Sequence, residues 1–316
     1  MFNATGGSGS LETSDFTLSI SGGSAILVAD TPTSIDISGN VYTLGVDLDG
    51  IPDGSETLTV VPSSATAIYD EAGNAASESQ SNNTVSLYDK TSPTMDIAST
   101  TVTSGTTTND NPIVLTFTAS EATTDFDVDD ITVTGGELSG TLEVDDDNKV
   151  YTINFVPSGD VTCTVNVDAD SFTDAAGNGN TAATEFTWTY DGNQPTMTIS
   201  STTSSVSLDG KSNATAVVFR LTSNESTTDF VMDDIATSKG NIIAFSGRGT
   251  TYTATFTPTD QGDCQIYVDA GSFTDAAGNA NTESNTFEWT FDGIEPIMVI
   301  TSSSVNDGGF SNESSI

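Results

Sequence analysis

The sequence contains no histidine. That removes histidine-dependent catalytic triads, the commonest general base and any His-ligated zinc or haem site. Positive charge is nearly as scarce: 6 Lys and Arg stand against 45 Asp and Glu, a formal net charge of −39 in 316 residues. Nucleic acid and anionic membrane surfaces need a cationic face, so neither is expected as a partner. No run of 18 apolar residues occurs, and no membrane insertion is expected in this segment. The first residues, Met-Phe-Asn-Ala-Thr-Gly-Gly-Ser, lack the basic and apolar regions of a signal peptide. Leucine is sparse while Ser, Thr and Val abound, which argues for strands and against helical bundles. The hydrophobic fraction, 35%, is low but enough for several thin sandwich cores. Disorder is the alternative for such an acidic, Ser/Thr-rich chain, and the ordered alternation below outweighs it.

Self-similarity carries most of the information. SFTDAAGN at Ser171–Asn178 recurs at Ser272–Asn279, and a weaker YDEAGN lies at Tyr69–Asn74. Pro93-Thr94-Met95, Pro195-Thr196-Met197 and Pro296-Ile297-Met298 keep the same period. TTDF at Thr123–Phe126 and Thr227–Phe230 does so too, each copy followed by Asp-Asp-Ile. The unit is about 100 residues, the usual size of a β-sandwich domain. Inside it the period is two. Ile113–Thr118, Tyr151–Phe155, Cys163–Val167 and Phe186–Tyr190 alternate, with Gly, Asn, Asp and Pro between them. The fold class expected is all-β: tandem Ig-like antiparallel β-sandwiches of about seven short strands in an elongated array.

The runs SEATTDFDVDDITVTGG, NESTTDFVMDDI, YTINFVPSG, SFTDAAGN and YDGNQPTMTISS resemble the bacterial Ig-like repeats of large surface adhesins and biofilm-associated proteins. The resemblance covers essentially the whole chain. It implies a cell-surface, extracellular stalk that holds a terminal adhesive or catalytic head away from the cell.

Boundaries are expected at 1–90, 91–193, 194–295 and 296–316. Aligning Ser14-Asp15-Phe16 with Thr124-Asp125-Phe126 leaves the first unit without its first strand and most of its second. The C-terminus carries the counterparts: Ile297–Thr301 reads as a first strand, and Ser311–Ile316 matches Ser212–Val217. Joining Ile316 to Met1 would complete the second strand. Two readings follow: a window from a longer array, in which Met1 need not be an initiator, or subunits that join head to tail by donating strands. The window is favoured, because the seam falls inside a strand. Either way the partners expected are neighbouring copies of the repeat, covalent or head-to-tail. Lateral partners in a filament, or surface glycans, are further candidates.

Topology gathers oxygen ligands at domain junctions. Asp89 comes from the linker, Glu121 from the loop after the second strand, and Asp174 and Asn178 from the loop after the sixth. The next unit repeats them as Asp191, Glu225, Asp275 and Asn279. In the first unit Glu12, Asp70 and Asn74 would await Asp292 of a preceding unit. An all-oxygen set suits Ca²⁺, which takes six to eight such ligands. Asp-x-Ala-Gly-Asn is also a good turn in its own right. Asp47, Asp49, Asp53 and Glu56 resemble half of a calcium loop without full EF-hand spacing, and a lengthened polar turn is the competing reading. Asp129-Asp130 and Asp233-Asp234 read as solvated turns.

Cys163 and Cys264 occupy equivalent inward positions with no partner on the second strand, and read as buried free thiols. Sequons at Asn3, Asn82, Asn213, Asn224 and Asn312 are glycosylation candidates in a chain where such triplets arise easily. Trp188 and Trp289 read as core; a carbohydrate platform would need them exposed. No catalytic residues stand out from the repeat. A non-catalytic stalk or filament shaft is expected, with a head-to-tail fibre subunit or a carbohydrate-binding adhesin module as alternatives.

Overall fold

Strict alternation decides which face of each strand is dry. In the computed structural model, which describes residues 2–3, 9–302 and 308–310, the only helical segments are three short 3₁₀ turns. Two compact units are formed, residues 1–106 with 110–189, and residues 107–109 with 190–316.

The first unit contains two modules. Strands of the first are β1 (Phe2–Asn3), β2 (Phe16–Ser21), β3 (Ile26–Leu27), β4 (Ser34–Ser38), β5 (Val41–Gly45), β6 (Leu48–Asp49), β7 (Thr57–Pro62), β8 (Tyr69–Asp70) and β9 (Thr84–Ser86). The second holds β10 (Met95–Ser99), β12 (Ile113–Ala119), β13 (Ile131–Thr134), β14 (Gly136–Val144), β15 (Val150–Pro157), β16 (Val161–Val167) and β17 (Phe186–Tyr190). The short β11 (Thr107–Thr108) is counted with the second unit.

In the second module one sheet runs β10-β12-β15-β14, and β17, β16 and β13 pair in that order in the other. Strand β12 buries Ile113, Leu115, Phe117 and Ala119 and turns Val114, Thr116 and Thr118 away. Its register sets Ile113 against Phe155, Leu115 against Ile153 and Phe117 against Tyr151, so neighbouring strands offer one apolar face. The opposing sheet contributes Cys163, Val165, Val167 and Trp188. Full burial of each large side chain is worth about 1.5–3 kcal/mol, which makes this facing set the main source of stability. A seven-strand, two-sheet arrangement in this order is that of an Ig-like sandwich.

The second unit holds the third module and repeats the plan. Strands β18 (Met197–Ser201), β20 (Val217–Thr227) and β22 (Gly240–Pro258) form one sheet. The other runs β19 (Lys211–Ser212), β24 (Phe287–Phe291), β23 (Gly262–Val268) and β21 (Ile235–Ser238). Strand β22 does the work of both β14 and β15, turning through Gly247 and Gly249 at positive φ. Phe219, Phe256, Trp289 and Phe273 centre its core.

The first module is thinner. Sheet β2-β7-β9 corresponds to β13-β16-β17, and the remaining strands form the two-stranded pairs β4–β5, β3–β6 and β1–β8. Its core is Leu11, Ala67 and Ile68 with Phe16, Ile35, Tyr42 and Ala76 packed against it. An apolar groove of about 280 Å³ opens among Phe2, Leu11, Phe16, Tyr42, Val60 and Ile68.

Two expectations need correction. The 3₁₀ turn Thr13–Asp15 precedes β2 as Val128–Asp130 precedes β13, and Glu12 N–H donates to Asp15 Oδ2 as Asp127 N–H donates to Asp130 Oδ2. Asp15 therefore corresponds to Asp130, not Asp125, and Leu11 takes the buried place of Phe126. Ile297–Thr301 forms no strand, since no ladder partner reaches it among the described residues; Ile297, Met298, Val299 and Ile300 are 77–91% exposed. The matching segment Ser311–Ile316, and Met1 with which it would join, lie outside the described residues.

Candidate metal centres

The SFTDAAGN segment folds as a loop closed by its own side chains. Asp174 Oδ1 accepts the N–H groups of Ala176 at 2.8 Å and Asn178 at 2.9 Å, and Asn178 Nδ2 donates to Asp174 Oδ2 at 2.8 Å. Gly177 sits at φ +89, where a side chain would be strained. Asp275, Ala277 and Asn279 repeat these bonds, and Asp70 with Asn74 repeats two of them.

The recurring TTDF is a clamp on this loop. Asp125 accepts Thr173 N–H at 3.0 Å, Thr173 Oγ1 at 2.7 Å and Thr123 Oγ1 at 2.6 Å. Asp229 holds Thr274 and Thr227 in the same way. Burial pushes both carboxyls up, but these hydrogen bonds outweigh it and hold both below the ordinary aspartate value. A folded-state pKa lowered in this way stabilises above the unfolded value near 3.8, and the contribution is lost as pH falls through the folded value.

Clamping the two loops gathers acid. Carboxylate oxygens of Asp89, Glu121 and Asp174 all lie within 4.8 Å of one another, and those of Asp191, Glu225 and Asp275 do the same. Asn178 Nδ2 also donates to the backbone carbonyl of Asp89, and Asn279 Nδ2 to that of Asp191, fastening each linker to its loop. In the first unit Lys90 N–H and Thr91 Oγ1 both donate to Pro52 O. Burial, then repulsion from Asp89 and Asp174, raises the Glu121 pKa, with Lys149 opposing; burial, Asp191 and Asp275 raise Glu225. Three like charges this close repel unless a cation sits among them. Oxygen-only donors, with asparagine amides adjoining, suit a hard cation such as Ca²⁺.

Removing one charge relieves the repulsion. Glu121→Gln is expected to raise the melting temperature in chelator at pH 7. A raised folded-state pKa costs stability above the unfolded value near 4.5, so the gain should vanish below pH 4. Melting curves of both proteins across pH 3–8 check this.

Other candidates are placed differently. Glu12 begins the first 3₁₀ turn and is no counterpart of Glu121, so Asp70 and Asn74 form their loop without a carboxylate triad among the described residues. Asp292 follows β24, exposed, its Oδ1 accepting Ile294 N–H. Glu56 is fully buried, and its carboxylate accepts N–H from Ser24, Ala25 and Asp53. That makes it an internal anchor for the β3 turn rather than a calcium ligand, because its lone pairs face donors. Asp53 caps Ser55, and Asp47 and Asp49 are exposed beside and on β6. Both cysteines are buried and outside any disulfide, and burial raises the Cys264 thiol. Trp188 and Trp289 are 1% exposed and offer no carbohydrate platform. Asn82, Asn213 and Asn224 are exposed; the Asn3 side chain and Asn312 lie outside the described residues.

Sequence reasoning missed Asn180 and Asn281, each 2% exposed and bonded to backbone on both sides of its loop. Their recurrence 101 residues apart was the available signal.

A family model described as bacterial Ig-like domain matches residues 89–190 and again residues 191–290. No curated protein sequence matches the chain. Among solved structures, invasin, titled a bacterial integrin-binding protein, is 12% identical with a TM-score of 0.35, covering 80% of this chain and 49% of that one. The chain thus spans about half the length of that relative. The Escherichia coli adhesin FdeC is 12% identical with a TM-score of 0.39, covering 86% and 85%. InvD of Yersinia pseudotuberculosis is 13% identical with a TM-score of 0.29, covering 69% and 65%.

Proposed function

Since the chain belongs to the bacterial Ig-like domain family, we propose that it is a non-catalytic, extracellular structural region, the stalk or shaft of a surface adhesive protein, stiffened by Ca²⁺ at its recurring carboxylate triads. The observation that carries this reading is the recurrence itself: Asp89, Glu121 and Asp174 in one module, Asp191, Glu225 and Asp275 in the next. In both, a linker carboxylate meets a glutamate beyond the apolar part of the second strand and an aspartate of the loop after the sixth. Such a bound ion ties the linker down and offsets part of the −39 charge. Repetition lets length grow while each module depends only on itself and its neighbours.

Calorimetry in calcium and in chelator tests it. At a calcium concentration 100 times the dissociation constant each occupied site adds about 2.7 kcal/mol. For a module this size that is a rise of roughly 10 °C. Glu225→Gln should remove the response of the third module while leaving it folded. Identical melting curves with and without calcium would overturn the assignment.

A second reading, a subunit of a head-to-tail fibre, is favoured by the exposure of Ile297, Met298, Val299 and Ile300 and by the apolar groove of the first module. Sedimentation should then show concentration-dependent chains that Ile300→Asp dissolves; a monomer at all concentrations sinks it.

A further inference from the structure

We propose that the concavity beside Arg248 on the third module binds a carboxylated saccharide, a uronate unit or short uronate oligomer. It is an open concavity of about 660 Å³, within the roughly 300–1,000 Å³ range of small-molecule sites. Ser226, Thr228, Arg248 and Thr250 line it, above the buried core pair Phe230 and Tyr252, which Phe126 and Tyr151 repeat in the second module.

The turn that carries Arg248 is shaped by glycine. Gly247 sits at φ +133, and a Cβ there would meet Thr251 O at 2.4 Å and Tyr252 Cα at 2.5 Å; Gly249 sits at φ +66. Tyr252 Oη anchors the facing loop by donating to Thr227 O at 3.0 Å. The second module shares that bond, from Tyr151 Oη to Thr123 O, but not the glycine turn with its arginine. Its corresponding turn is Asp145-Asp146-Asp147-Asn148, with the Asp145 carboxylate bonded to Lys149 and Val150 N–H. Elements shared by both modules serve the common architecture, so one present in a single module is where individual binding is expected.

Chemistry narrows the ligand. Among the described residues neither the Arg248 guanidinium nor the hydroxyls of Ser226, Thr228 and Thr250 have an intramolecular partner. An arginine without a carboxylate is unexpected where acids outnumber cations 45 to 6. Its planar fork pairs bidentately with a carboxylate. Three hydroxyls that both donate and accept match a polyol. The hydroxyls could also donate to a simple inorganic anion, and competition with phosphate separates that case from a sugar. The net charge disfavours long polyanions, so short oligomers or chain ends fit best.

The site stands apart from the calcium reading, and its test is run in chelator so that no bridging cation produces the signal. Tri-galacturonate titrated into the chain by calorimetry should bind saturably at one site. Arg248→Gln should weaken it by about tenfold or more, the loss of one charge-assisted contact. Arg220→Gln, an exposed arginine on β20, should leave binding unchanged, with both variants melting like the parent. A neutral trisaccharide should bind at least as weakly as tri-galacturonate does to Arg248→Gln. No saturable binding, equal binding of the neutral sugar, displacement by equimolar inorganic phosphate, or indifference to Arg248→Gln would each overturn the proposal.

Discussion

Replacing Asn180 by leucine is expected to unfold the second module while the third keeps its own melting transition. The side chain is 2% exposed and fully used. Oδ1 accepts the N–H groups of Ser171 at 2.8 Å and Phe172 at 3.0 Å, and Nδ2 donates to the carbonyls of Asp168 at 2.8 Å and Thr181 at 2.9 Å. Leucine has similar volume and none of these groups. Four backbone groups lose their partner, at about 1–3 kcal/mol for each one left buried. The sum approaches the roughly 5–15 kcal/mol that holds a domain together. Calorimetry and amide exchange would show the loss; a destabilisation under about 1 kcal/mol would mean that water replaces the amide. Asn281→Leu should act likewise on the third module through Phe273, Asp269 and Thr282.

Trp289 gives the second large effect, with a different physical content. Its ring packs edge to face on Phe256 at 4.9 Å and lies 5.5 Å from Phe219. Trp289→Ala should cost about 3–5 kcal/mol, from lost apolar burial and the cavity left behind. The indole Nε1 is buried without a hydrogen-bond partner, as is that of Trp188. Trp289→Phe therefore gives up volume but no hydrogen bond, and should cost under about 2 kcal/mol, near the conservative end of core substitutions. Equal losses in the two variants would show that the N–H is satisfied by a water.

Much of this was legible in the amino-acid order. Alternation along Ile113–Thr118 and Cys163–Val167 marked strands because each faces one dry core. The triads followed from topology once the repeat fixed which loops share an end. Asn180 was not legible as a lock. In a Gly- and Asn-rich loop it reads as a turn former, and its partners up to 12 residues away exist only when the loop closes. The match of Ser14-Asp15-Phe16 to Thr124-Asp125-Phe126 was misleading for a similar reason, since the deciding feature is the bond from Glu12 N–H to Asp15. Glu56 looked like a calcium ligand by spacing, but the Ser24 and Ala25 N–H groups that claim it come from 32 and 31 residues earlier. Ile297–Thr301 has the right pattern for a strand, and pattern alone provides no ladder.

The Asp125 and Asp229 clamps bear on how an arriving ion would be felt. Each fastens together the segments that carry a glutamate and an aspartate of the triad, using hydrogen bonds between protein groups alone. The seat is thus assembled in advance, and occupation demands little rearrangement of the chain. Ion arrival would register as a change in compliance and heat tolerance, with the outline of each module nearly constant. On the proposed reading, the shaft would be tuned by the ionic content of its surroundings without refolding.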